Sequence, residues 1–167
     1  MPYSLKSAQT LAQGWKSSIF AATSSILTAA LILLSVGSAS ASEERRNYVA
    51  PTIGVINNKT LYGINTKFGI ADSVAVRPFI QFYNSNGGSA SIYGASVTYN
   101  FNNPSSGLIP YLGLGAAAVT TTGSSSGNGG LYFEGGVDYN ASENFVINAN
   151  YKQGENGWLN VGAGYRF

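Results

Sequence analysis

The sequence predicts an all-β fold, an eight-stranded antiparallel up-and-down transmembrane β-barrel preceded by a helical signal peptide, and three observations predict it. Charged residues make up only 10 % of the chain, where a soluble domain carries about a quarter. The 167 residues include 21 glycines, 11 tyrosines and 8 phenylalanines. Beyond Asn47 the chain divides into short segments rich in Val, Ile, Tyr, Phe and Thr, in which bulky apolar residues alternate with small polar ones. Asn, Gly, Ser, Asp or Pro bound each segment, as they bound strands.

The leading segment, residues 1–41, reads as an export signal. It holds no acidic residue and places Lys6 and Lys16 ahead of an apolar stretch from Ile26 to Val36, then ends in Gly37-Ser38-Ala39-Ser40-Ala41. That stretch falls short of the roughly 20 residues a spanning helix needs, and Ala39-x-Ala41 supplies a small-x-small cut after Ala41. An uncleaved helical anchor is the alternative if Ile19, Phe20 and Ala21 are counted into the stretch. Residues 42–167 then form the barrel, with seven Lys and Arg against seven Asp and Glu. A neutral chain carries no footprint for nucleic acid.

The strands are expected near 48–57, 60–70, 74–83, 90–101, 108–119, 130–139, 144–151 and 158–167. In the last, Leu159, Val161, Ala163, Tyr165 and Phe167 share one face, and Asn160, Gly162, Gly164 and Arg166 the other. The sixth sets Leu131, Phe133, Val137 and Tyr139 against Tyr132, Glu134, Gly136 and Asp138; the seventh sets Phe145, Ile147, Ala149 and Tyr151 against Asn144, Val146, Asn148 and Asn150. The fourth opposes Tyr93, Ala95, Val97, Tyr99 and Phe101 to Ile92, Gly94, Ser96, Thr98 and Asn100. Tyr62, Ile64, Thr66, Phe68 and Ile70 form the apolar row of the second strand, and Val74, Val76, Pro78, Ile80 and Phe82 that of the third. The fifth, with Leu112, Leu114, Ala116 and Ala118 as its row, is less clean, and so is the first.

Alternation alone fits a soluble barrel with its apolar face inward or a membrane barrel with that face outward. Composition separates the two. Only Lys67, Arg77, Glu134, Asp138 and Arg166 are expected within strands, all on the small polar row, and a row of Gly, Ser, Asn and Thr makes a poor soluble surface. The same row suits a lumen too narrow for large side chains, with the bulky row facing lipid. Hydrocarbon also explains closure, since unpaired backbone groups at a sheet edge each cost several kcal/mol there. Tyr48, Tyr83, Tyr99, Tyr139 and Tyr151, near strand ends, are expected in the aromatic girdles. The remaining alternative is a soluble exported barrel that binds an apolar ligand inside.

The closing run Val161-Gly162-Ala163-Gly164-Tyr165-Arg166-Phe167, an alternating strand that ends the chain in an aromatic, resembles the last strand of the small eight-stranded bacterial outer-membrane barrels of the OmpA and OmpX type, within the porin-like outer-membrane β-barrel family. The resemblance spans about residues 47–167 and departs from the OmpA pattern in having no peptidoglycan-binding domain after the barrel. It implies residence in the bacterial outer membrane, with lipid as the surroundings. It also implies periplasmic chaperones and the barrel-assembly machinery as partners, with Val161, Tyr165 and Phe167 as the assembly signal. With the N-terminus in the periplasm, the connections at 57–59, 84–89, 120–129 and 152–157 face outside, and those at 71–73, 102–107 and 140–143 face the periplasm.

No enzymatic activity, cofactor or metal is expected. The absence of cysteine and histidine excludes disulfide scaffolds, zinc sites of the Cys/His kind, thiol chemistry and His-based triads. Glu134 and Asp138, four residues apart on one strand face, stand roughly 13 Å from each other at strand rise, too far for a glycosidase pair. What the lumen offers instead is charge. Lys67, Arg77 and Arg166 are expected to neutralise Glu134 and Asp138, with Asn65, Gln81, Asn148 and Asn160 bonding around them, because an uncompensated buried ion costs several kcal/mol. Such a network serves as a static polar plug with an envelope or surface role. Alternatively, it acts as a gate for small solutes or ions.

Overall fold

Side chains that alternate across a pleated strand force every second residue onto a common face, and here the alternating segments are strands throughout. The computed structural model describes residues 47–85, 88–101, 107–122 and 128–167. The export signal with its cut after Ala41, and the loop stretches 102–106 and 123–127, lie outside the described residues. The elements are β1 (Tyr48–Ile56), β2 (Lys59–Ala71), β3 (Val74–Ser85), β4 (Gly88–Asn100), β5 (Leu108–Thr121), β6 (Asn128–Asn140), β7 (Phe145–Gln153) and β8 (Gly157–Arg166). They pair in chain order into a closed antiparallel barrel, and β8 returns to β1 from Tyr48↔Arg166 to Ile56↔Trp158.

Both chain ends of the barrel meet at one rim, the terminal rim, where Phe167 N donates to Asn47 O at 3.1 Å. The opposite, loop rim carries the β1–β2, β3–β4, β5–β6 and β7–β8 connections. There the strands run further than the sequence suggested: β7 continues through Lys152 and Gln153, and β5 reaches Thr121. The β1–β2 connection shrinks to Asn57 and Asn58, with φ of 47° and 61°. Two consecutive left-handed residues make the tight turn whose twist suits a hairpin, and Asn tolerates that conformation better than other residues with a side chain. β1 therefore ends at Ile56, not at residue 57.

Polarity is inverted. Phe133 is 68 % exposed and Leu112 60 %, whereas Asp138 is 1 % exposed and Asn160 0 %. The apolar rows of β2, β3, β4, β6, β7 and β8 lie outside, Leu112 and Leu114 of β5 with them. In β1 the outer row is Val49, Pro51, Ile53 and Val55, and the inner row is Tyr48, Ala50, Thr52, Gly54 and Ile56. Of the tyrosines expected in girdles, Tyr99, Tyr139 and Tyr151 point outward and are exposed. Tyr48 and Tyr83 do not. Each falls on the inner parity of its strand, Tyr48 with Ala50 and Tyr83 with Phe79 and Gln81, so its ring enters the lumen.

Nor does the small row keep the bore free of bulk. Its glycines make room for large rings from the neighbouring strand. Tyr132 pairs with Gly115 and Tyr111 with Gly136 across the β5–β6 ladder, and the hydroxyl end of each tyrosine lies against its glycine. A Cβ on Gly136 would stand 2.6 Å from Tyr111 Cζ and 2.6 Å from the Ala149 carbonyl oxygen. Two fully buried tyrosines are thus seated only because residues 115 and 136 have no side chain. Gly136→Val is expected to destabilise the barrel by about 1–3 kcal/mol, read as a lower urea midpoint for heat-modifiable migration on a semi-native gel. Gly130→Val, where an added Cβ meets nothing within 4 Å, should leave the midpoint near wild type.

Candidate functional site

The inner row gathers into two layers, one of charge and one of rings. Asp138, on β6, is the centre of the charged layer. It accepts from Lys67 Nζ of β2 at 3.1 Å, from Arg77 Nη2 of β3 at 2.8 Å and from Asn148 Nδ2 of β7 at 2.7 Å. Tyr48 of β1 donates to it at 3.0 Å while accepting from Arg77 Nη1 at 2.7 Å. The Arg77 guanidinium is held from every side: Nε donates to Thr98 Oγ1 at 3.0 Å, Nη2 to Asn100 Oδ1 at 3.0 Å, and its face stacks 3.5 Å from the centre of the Tyr111 ring. A planar fork with five donors can serve so many partners; an ammonium cannot.

Glu134, two inner-row positions nearer the loop rim on β6, takes its own cation from β7. Lys152 Nζ lies 3.3 Å from Glu134 Oε1, and Ser96 and Tyr111 also donate to this carboxylate. Lys152 also donates to Asn150 Oδ1 at 2.8 Å and sits 4.8 Å beneath the Phe79 ring. A chain of amides links the two carboxylate centres: Gln81 donates to Asn160, Asn160 and Lys152 to Asn150, Asn150 to Asn148, and Asn148 to Asp138. One void of about 10 Å³ lies among these groups, about the room a single water needs.

Arg166, also expected to share in neutralising Glu134 and Asp138, lies in the lumen wall and donates to Asn140 at the terminal rim. The cation of Glu134 is Lys152, which the sequence reading had placed in the 152–157 loop. Asn65 lies in the lumen wall, but its Oδ1 accepts no hydrogen bond among the described residues. Parity held the missing signal. Lys152 continues the even-numbered row of Asn148 and Asn150, and reading that row one step past Tyr151 would have found it.

The second layer caps the first toward the loop rim. Phe79, Tyr132 and Trp158 pack as a triad, with centroids 5.9 Å apart for Phe79–Tyr132, 5.6 Å for Tyr132–Trp158 and 6.3 Å for Phe79–Trp158. Ile56, Leu61, Ile92 and Ala117 complete this buried cluster. The assembly signal proposed for Val161, Tyr165 and Phe167 occupies the outer face of β8 and the residue after it, all three exposed.

No protein-family model and no curated protein matches the sequence. Solved structures do match in shape. The N-terminal β-barrel domain of Pseudomonas aeruginosa OprF is 21 % identical with a TM-score of 0.56, over 74 % of this chain and 98 % of that one. Ail of Yersinia pestis in a phospholipid bilayer nanodisc is 18 % identical with a TM-score of 0.51, over 74 % and 100 %. De novo designed transmembrane β-barrels match with a TM-score of 0.60 at 13 % identity, over 77 % and 100 %. The chain has the fold of the eight-stranded outer-membrane barrels. Designed and natural barrels match it about equally well in shape while sharing few residues, so the fold rests on pattern and not on particular side chains.

Removing the central carboxylate tests the charged layer. Asp138→Ala leaves Arg77 and Lys67 facing each other without an anion, and is expected to cost about 3–5 kcal/mol, read from the urea midpoint of folding. Glu134→Gln and Lys152→Met are expected to be less damaging together than the sum of the two alone, because each single change strands a buried partner. A double-mutant cycle measures that coupling.

Proposed function

We propose that this protein is an integral barrel of the bacterial outer membrane with a structural or envelope-surface role, and that its lumen is a permanent polar plug. The observation that carries the reading is the coexistence of an apolar exterior with a bore crossed by buried, paired charges at Asp138 and Glu134. An exterior of Leu, Phe, Val and Tyr is stable in hydrocarbon and a liability in water. The plug in turn supplies, from within, partners for polar groups that could not be left unpaired there. The outer membrane as the destination is supported by the fold shared with OprF and Ail and by the signal-like segment before residue 42. Val161, Tyr165 and Phe167 are proposed as the signal read by the assembly machinery, with periplasmic chaperones carrying the chain to it. No catalytic role is assigned to any residue.

The experiment is conductance across a planar lipid bilayer. Wild-type protein is expected to give no channel events; stepwise openings would replace the plug with a solute or ion channel. Insertion is tested on the outer face. Phe133→Arg places a cation on the hydrocarbon side of β6, at a cost of about 2–4 kcal/mol near the bilayer midplane. It is expected to reduce the detergent-extractable, heat-modifiable fraction, whereas Leu131→Phe is expected to leave that fraction unchanged.

A further inference from the structure

Six of the eight ladders run without a gap, and the other two are each interrupted at a proline. The β2–β3 ladder omits Thr66 and Lys67, opposite Pro78 and Arg77; the β1–β8 ladder omits Ala50 and Pro51, opposite Gly164 and Ala163. A proline has no N–H to donate. Pro51 pairs with β2, and Pro78 with β4, in ladders that do not break, so the missing donor is in each case the one that would face the interrupted seam. The Ala163 carbonyl therefore lacks the backbone donor that an antiparallel pair supplies, and hydrocarbon outside the wall offers none. The two interruptions differ in what bridges them. Thr66 Oγ1 donates to Pro78 O at 3.0 Å, so a side chain spans the β2–β3 seam. Across β1–β8, Gly162, Ala163 and Gly164 have no polar side-chain atom, and Thr52 Oγ1 has no hydrogen-bond partner among the described residues. No larger residue fits there either: a Cβ on Gly164 would stand 2.7 Å from Ala50 Cβ, and one on Gly162 2.6 Å from Thr52 Cγ2.

We propose that the terminal-rim half of the β1–β8 seam is a labile joint, at which the end of β8 from Ala163 to Phe167 parts from β1 and re-seats while the rest of the wall stays closed. Between Pro51 and the rim, only the pairs Val49↔Tyr165 and Tyr48↔Arg166 and the bond from Phe167 N to Asn47 O join the two strands. Each strand is anchored elsewhere. Tyr48 is held from within by Asp138 and Arg77. The β8 segment is paired to β7 through Phe145↔Tyr165, Val146↔Gly164 and Ile147↔Ala163, and Arg166 donates to Asn140 of β6. Asp138 takes its partners from β1, β2, β3 and β7, so the parting of β8 breaks none of its bonds. The segment thus moves about its seam with β7 as a hinge, and the unbroken run from Thr52↔Gly162 to Ile56↔Trp158 limits how far the parting spreads. The inference is independent of the plug: conductance reads the lumen, and exchange at the seam reads the wall.

Backbone bonds to one neighbour recur at every second residue of a strand. The bond from Phe167 N to Asn47 O therefore places the amides of Tyr165 and Ala163 in the β1–β8 seam, and that from Asn140 N to Gly107 O places those of Asp138 and Gly136 in the β5–β6 seam. The two sets lie equally far from their rim bonds, and the β5–β6 ladder has no gap. The test is hydrogen–deuterium exchange of the full chain in lipid nanodiscs, read residue by residue by NMR, since exchange reports local opening. Tyr165 and Ala163 are expected to exchange at least tenfold faster than Asp138 and Gly136. Pro51→Val supplies the missing N–H and is expected to slow Tyr165 and Ala163 at least fivefold while leaving Asp138 and Gly136 unchanged. Equal protection of the two pairs in the wild type, or fast exchange that Pro51→Val does not slow, overturns the proposal. Should Pro51→Val fail to fold, Thr66→Val decides. It removes the hydroxyl bridge from the other interruption and is expected to speed exchange of the amide at position 66; no change there overturns the proposal, because an unbridged proline then opens no joint.

Discussion

Closure of the hydrogen-bond ladder is the constraint from which the other features follow. With β8 paired to β1, no strand has a free edge, and the backbone of the wall, its two proline interruptions apart, is satisfied by its own neighbours. Once closed, an antiparallel sheet with period-two side chains has only an outside and an inside, and each residue is committed to one by its parity. A slip of one residue in β6 would exchange Phe133 for Glu134 at the surface. Register is therefore worth much more here than the energy of any single contact.

Eight strands also set the width of the bore, which is just large enough for side chains to fill. The chain meets that limit by trading volume between neighbours. Gly115 and Gly136 carry none, so Tyr132 and Tyr111 can lie across the lumen. Arg77 then finds a ring to stack upon, a carboxylate to bind and two side-chain oxygens to donate to, all within one layer. Paired charges of this kind add little net stability compared with a well-packed apolar core of the same shape. Their value lies in what happens when strands misalign, since a slip of β6 takes Asp138 and Glu134 away from Lys67, Arg77 and Lys152.

The two layers divide the work of the lumen. The charged layer joins β1, β2, β3, β6 and β7 through Asp138 alone. The ring layer is apolar and stops short of the rim, where the bore opens into a cavity of about 350 Å³.

Period-two alternation, the scarcity of charge and the turn residues were sufficient for the all-β class, the number of strands, their order and the inverted polarity. All of these depend on near neighbours along the chain, and parity carries them. Lys67, Arg77, Glu134 and Asp138 were legible as lumen residues for the same reason. The sequence could not say which cation meets which carboxylate, because partners such as Lys67 and Asp138 lie on strands that pair with each other nowhere and meet only across the bore. Tyr48 shows the limit most clearly: it looks like a girdle residue at a strand end and becomes the hydroxyl between Arg77 and Asp138. Where β7 stops was a further matter for the tertiary structure, since the inter-strand ladder carries that strand to Gln153 and delivers Lys152 to Glu134. Local pattern determined the wall and its two faces; closure of the wall, which brings distant strands within side-chain reach, decided what fills it.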